Sequence, residues 1–250
     1  MRHSFFLCAV GSQNNEKYAD HRALSSTGLY RTPMDPQTLA YYSVNAADVA
    51  SRYESIVNGM SVHFEAAFPP GGRVLDVGCG SGRDMALLSF IGREVYGFDA
   101  SEQLIAQAQR FHPELVGRFS LGALPDCDVP FDGQFDGVLC SAVLMHVPVH
   151  MQPAAIDFVR RCLKPGGRFL YSVPTRRDDA SAHDHRDAAG RLFIPDASGH
   201  LRHLCQSAGF SFVQEWNNSD SLGRDQVEWT ESPRVPRRLF GLSQVTTAVA

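Results

Sequence analysis

From Arg73 onward, short apolar runs alternate with stretches whose apolar residues recur every three to four positions. Short continuous runs read as buried strands, and the longer period as helices with one apolar stripe. Arg73–Val77 (RVLDV) predicts a strand entering Gly78. A helix is expected over 83–91, where Ala86, Leu87, Phe90 and Ile91 form the stripe. A second strand follows at 94–98 (EVYGF). Ser101 then caps a helix through Arg110, with Leu104, Ile105 and Ala108 on one face. Residues 116–121 make a weaker strand, and 135–140 (FDGVLC) a nearly continuous apolar one. A helix over 152–163 precedes a strand at 167–173 (GRFLYSV). A helix over 197–208, stopped by Gly209, leads into a strand at 210–216 (FSFVQEW), and 227–230 begins a seventh. Strands alternating with helices imply a mostly parallel sheet covered on both faces, with right-handed crossovers.

The flanks differ. Residues 1–33 are polar, rich in Ser and Asn and without period, and read as a flexible arm. At Met34 the style changes to MDPQTLAYYSVNAADVASRYESIV, with Pro36 suited to a helix start. Met34 is therefore a possible natural start, and 36–68 reads as N-terminal lid helices. The apolar stretch from Phe5 to Val10 is too short for a secretory signal and lacks a clear cleavage site. The charged, Pro-bounded segment 174–199 has the length of a lid or binding loop. The tail from Glu231 carries two prolines and a basic cluster. The expected organisation is an extension at 1–35, one domain at 36–230 and a tail at 231–250.

Composition adds limits. A hydrophobic fraction of 44% with 20% charged residues suits a folded core and excludes a collagen-like or wholly disordered chain. A net charge of −4 lacks the basic footprint of a general nucleic-acid binder. Cys8, Cys79, Cys127, Cys140, Cys162 and Cys205 form no C-x-x-C pair and sit partly in apolar runs, which suits reduced thiols in the cytoplasm. No apolar run approaches the length of a membrane span.

The strongest chemical signal is Asp76-Val77-Gly78-Cys79-Gly80-Ser81-Gly82, a buried strand running into a glycine turn and then a helix. Glycines let backbone approach a ligand where a Cβ would collide. In open α/β sheets that ligand lies beyond the carboxyl ends of the strands. The spacing is G-x-G-x-G, and Arg83 stands where a dinucleotide motif places its third glycine. Asp76 would repel a pyrophosphate but suits an ammonium. Asp99, at the end of the second strand, can accept both hydroxyls of a ribose, or can serve only as an acid near a helix start.

VLDVGCGSG, GFDAS at 97–101, PFDGQFDGVLCSAVLMHV at 130–147 and LKPGGRFLYSVP at 163–174 occur in one order and spacing. Together they resemble the class I S-adenosylmethionine (SAM)-dependent methyltransferases, in particular small bacterial enzymes acting on metabolites. The resemblance implies a Rossmann-like, seven-stranded, mostly parallel sheet with its last strand antiparallel; the prolines after Thr230 imply either a short last strand or a tail on an unusual path. It places Gly78, Cys79, Gly80 and Gly82 under the methionine part of SAM, with Asp76 near the ammonium. Asp99 would hold the ribose hydroxyls and Ala100 would pack on adenine, with Ser101 beside them among the cofactor-binding residues. Ala123 and Leu124 would offer backbone groups to adenine, since Gly122 replaces the family's usual acid. Cys140 and Ser141 would meet the methionine moiety, and Tyr42 of the lid helix would touch SAM.

Methyl transfer needs alignment above all, and a general base only when the acceptor must lose a proton. His146, just after the fourth strand, is the candidate base; the competing reading is a histidine packed into the following turn. The cluster His183, Asp184, His185 and Asp187 lies in a polar loop without a ligand scaffold, so no metal is expected. Arg176, Arg177, Arg186 or Arg191 could meet an acidic small-molecule substrate. Partners beyond that substrate are expected to be none or a second copy of the chain. A tRNA-modifying enzyme, a SAM-binding domain without catalysis and an NAD-linked oxidoreductase are the alternatives.

Overall fold

The computed structural model describes residues 3–11, 34–174, 177–196 and 199–218. Seven strands are present: β1 (His3–Val10), β2 (Arg73–Val77), β3 (Glu94–Asp99), β4 (Phe119–Leu121), β5 (Phe135–Ser141), β6 (Leu163–Val173) and β7 (Phe210–Asn218). They form one sheet in the order β4-β3-β2-β5-β6-β1-β7. β2 to β6 pair in parallel. β1 runs antiparallel to both β6 and β7.

The expected Rossmann-like, seven-stranded, mostly parallel sheet is therefore present, but its antiparallel strand has another origin. The sequence reading puts residues 3–10 in a flexible arm and begins the domain at 36. In the structure these residues are a strand buried between two others, and a domain beginning at 36 would lack it. The physical reason is legible afterwards: a strand covered on both faces needs a continuous apolar run rather than alternation. FFLCAV is such a run, and Phe6, Leu7, Cys8 and Val10 are all buried. Residues 227–230, expected to begin the seventh strand, lie outside the described residues, as does the tail.

The helices are α1 (Pro36–Val44), α2 (Ala46–Glu54), α3 (Phe64–Ala67), α4 (Arg83–Phe90), α5 (Glu102–Phe111), α6 (Gln152–Cys162) and α7 (His200–Ser207). Their starts follow local chemistry. Asp35 caps α1 by accepting from the Thr38 amide, with Pro36 at its first position. Ser101 Oγ caps α5 by accepting from the Leu104 amide at 3.2 Å. One core lies between the sheet and α6 and α7, where Ile156, Val159, Leu201 and Cys205 meet Leu75, Val138, Phe169 and Phe6. A second, on the other face, joins Phe64, Phe68, Met85 and Leu88 to Val74, Leu139, Leu170 and Leu7. A smaller cluster packs Val49 and Ala50 of α2 on Leu104 of α5, with Tyr41, Tyr42 and Tyr53 against it.

Candidate functional site

A cavity of about 530 Å³ opens where β2, β3 and β5 end. Its floor is the glycine turn. Gly78 has φ +69°, and a Cβ on it would lie 2.5 Å from Val143 Cγ2. Gly80, at φ +54°, faces the ring of Tyr53. These positive angles strain any residue with a Cβ. The amides of Gly78 and Cys79 both donate to the carbonyl of Phe98, at 2.8 and 3.0 Å.

Asp99 is tied to the same turn. One carboxylate oxygen accepts from the Gly80 amide at 3.0 Å, the other from the Ser101 amide at 2.9 Å. Burial pushes its pKa up, and these backbone bonds work against that rise. Asp76 is buried at the end of β2. Its pKa is raised well above the usual carboxylate range, first by burial and then by the charge of Asp84, with Arg83 opposing. No described residue donates a hydrogen bond to its carboxylate. A buried acid in that state is suited to a cation supplied from the cavity.

The roof consists of α1 and α2 together with residues 177–196. His146 sits at the join, 3% exposed. Its Nδ1 meets the carbonyl of Leu192, and its Nε2 lies 3.2 Å from the Tyr42 hydroxyl. A carbonyl only accepts, so Nδ1 carries the proton and the tyrosine donates to Nε2. Burial lowers the His146 pKa to about 4, and the charges of Arg191 and Arg177 add to the effect.

Of the residues singled out from sequence, Tyr42, Asp76, Gly78, Cys79, Gly80, Asp99, Ala100, Ala123, Leu124, Ser141 and His146 line this cavity. Gly82, Ser101 and Cys140 do not. A Cβ on Gly82 would press on His112 and Phe119, so this glycine lets α4 start close to α5 and β4. Ser101 spends its hydroxyl on the α5 cap. Cys140 is fully buried in the sheet core, and burial pushes its thiol pKa up.

Sequence reasoning missed Asn58, Arg83 and Asp84. Asn58 Nδ2 donates to Asp84 and, at 3.2 Å, to Ser141 Oγ. Arg83 donates to Asp84 at 3.0 Å and to the carbonyls of Tyr53 and Ile56 at 3.0 and 3.3 Å, strapping the end of α2 to the turn. Its place directly after the last glycine was the available signal.

The segment 177–196 is also a correction. Expected by default as a solvated loop, or else as a lid offering arginines to an acidic substrate, it is folded, and Arg177, Arg186 and Arg191 are paired. Arg177 binds Asp179 through two 2.6 Å bonds, Arg191 pairs with Asp187 at 2.6 Å, and Arg186 grips Asp35 at 2.7 and 3.0 Å. Arg176 lies outside the described residues. No group of three or more His, Cys, Asp or Glu among the described residues could hold a metal ion. No helix among them is long and apolar enough to cross a membrane.

Residues 48–215 match the family model described as a methyltransferase domain. The chain belongs to the SAM-dependent methyltransferases. Within this methyltransferase family, a ubiquinone biosynthesis O-methyltransferase of Xanthomonas axonopodis is 36% identical over 120 residues, 46% of this chain and 48% of that protein. The chain thus spans about half the length of the curated relatives it matches. A Pyrococcus horikoshii protein shares the methyltransferase fold at TM-score 0.55 and 22% identity, covering 72% of this chain and 99% of its own. The magnesium protoporphyrin IX methyltransferase of Synechocystis, solved with bound SAM, does so at TM-score 0.51 and 21% identity, covering 74% and 91%.

The residues present fit SAM. The cavity is of ligand size. The glycine turn gives close backbone access, Asp99 is held at the cavity wall by the turn's own amides, and the buried Asp76 carboxylate suits a cation.

Proposed function

We propose that this methyltransferase methylates an oxygen of a small, uncharged, hydroxylated acceptor. The observation that carries this reading is the state of His146, a buried neutral imidazole with an unprotonated Nε2 at the cavity wall. Such a nitrogen can take a proton from an acceptor hydroxyl that displaces the Tyr42 hydroxyl. SAM supplies the activated methyl on a sulfonium, and its C–S bond breaks with the electron pair staying on sulfur as S-adenosylhomocysteine. The acceptor oxygen gains the methyl and gives its proton to Nε2.

Other residues hold the reactants. Asp76 would meet the ammonium of SAM, Asp99 its ribose hydroxyls, and Ala100 with Leu124 its adenine. Phe193, Leu39 and Met145 give the acceptor side an apolar lining. The internal pairing of Arg177 and Arg191 favours an uncharged acceptor over an anionic one or RNA. The O-methyltransferase among the relatives supports the same acceptor atom.

The test is methyl transfer from methyl-labelled SAM to a panel of phenols and catechols. His146→Gln should lower kcat on the best acceptor by about 10²-fold while leaving SAM affinity unchanged. Undiminished kcat in this variant removes His146 as the base.

A further inference from the structure

We propose that Thr38, held by Asp35, is a positioning residue that selects the tautomer of His146 through the backbone of Leu192. The inference rests on the reading of His146 as the base, but it is tested separately from it.

Each hydrogen bond on the path from Arg186 to His146 has a direction fixed by the chemistry of its partners. Arg186 donates twice to the Asp35 carboxylate. A carboxylate only accepts, so the Thr38 hydroxyl, 2.7 Å from Asp35 Oδ2, gives its single proton there. The Thr38 oxygen is then left as an acceptor, and the Leu192 amide donates to it at 2.8 Å. The carbonyl of the same residue accepts from His146 Nδ1. Leu192 is thus fixed at both of its backbone polar groups, by the first turn of α1 on one side and by the imidazole on the other. Thr38 is fully buried, so no water replaces its oxygen.

The residue matters because a buried neutral imidazole has two tautomers, and only the one with the proton on Nδ1 leaves Nε2 free to accept. The groups facing His146 agree with this arrangement. Tyr42 from α1 donates to Nε2, and Phe193 lies tilted against the ring with centroids 4.7 Å apart. Arg177, Arg191 and Asp187 of the roof act on it by charge, the two cations resisting protonation and the acid favouring it. None of these supplies the Nδ1 acceptor; the Leu192 carbonyl does.

The experiment is nitrogen-detected NMR on full-length protein carrying ¹⁵N in its histidine rings, with calorimetry using S-adenosylhomocysteine. The native His146 signal should report a protonated Nδ1 and an unprotonated Nε2. In Thr38→Val the two ring nitrogens should move toward averaged values, and the ring should titrate at higher pH. S-adenosylhomocysteine affinity should stay within about twofold, because Thr38 does not line the cavity. Thr38→Ser should restore the native signal.

A native-like His146 signal in folded Thr38→Val overturns the proposal. Should that variant not fold, Arg186→Gln loosens the same chain from its solvent end, and an unmoved ring signal there overturns it equally. Averaged ring signals in Thr38→Val together with full kcat in His146→Gln would uphold the positioning role and remove the base. An unmoved ring with a dead His146→Gln would do the reverse.

Discussion

At the scale of single residues, the two acids of the site have opposite surroundings. Asp99 is anchored by two backbone amides. Asp76 has no described donor and a pKa pushed up by burial. A cation placed beside Asp76 brings its pKa down again. Cofactor binding near neutral pH should therefore release protons. Titration calorimetry in buffers of different ionisation enthalpy should show a buffer-dependent binding enthalpy. Asp76→Asn should abolish that dependence and weaken binding; a buffer-independent enthalpy in the native protein would refute the assignment. Asp76, Asp99 and the glycines were legible because they lie within one short stretch of chain or one strand away. Asn58 and Asp84 were not, because a polar residue before an irregular turn and an acid inside a helix have no local signature. Their meaning is the bond each makes across the fold.

At the scale of elements, the strands and helices from residue 73 to 216 were legible because their apolar periods persist. Boundaries moved where local turns overrode pattern, as at β4, which starts at Phe119 rather than 116 because a turn with Gly117 at φ +87° follows the 3₁₀ segment Pro113–Leu115. β1 was not legible as part of the sheet, since its partners lie about 160 to 215 positions away in sequence. Its energetic weight is large. Phe6 stacks on Tyr171 with centroids 4.8 Å apart and meets the edge of Phe212 at 6.1 Å. Phe6→Ala should destabilise the protein by about 3 kcal/mol, the ordinary cost of an aromatic deleted from a core. Urea unfolding should show a lower midpoint at unchanged slope. A loss under about 1 kcal/mol would mean that the strand contributes little to the folded state.

At the scale of the whole molecule, stability should carry the mark of the buried histidine. The folded pKa of His146 is about 4, against 6.5 when exposed. Above pH 6.5 both states leave the ring neutral and nothing is lost. As pH falls from 6.5 toward 4, the unfolded chain takes a proton that the folded one refuses, so stability drops, by about 3 kcal/mol in full. Asp35 adds a second loss between 3.8 and about 2; burial opposes its ionisation, but the bonds from Arg186 and Thr38 prevail. Asp76 and Asp99, with raised values, act in the opposite sense and soften the decline. The difference in unfolding free energy between native protein and His146→Gln should therefore shift against the native protein between pH 6.5 and 4. A difference that stays flat over that interval would place the histidine in water.

The origin of the antiparallel strand bears on how the chain is made. Among the described strands β1 is made before the other six, yet the strands that flank it, β6 and β7, are the last two. Every other neighbouring pair in the sheet has formed its partners by residue 173, while the β1 slot gains its second wall only at 210. Until then the apolar segment FFLCAV lacks one of its two neighbours. Closing the sheet there pairs segments about 200 positions apart, the long-range kind of contact whose loop-closure entropy slows folding.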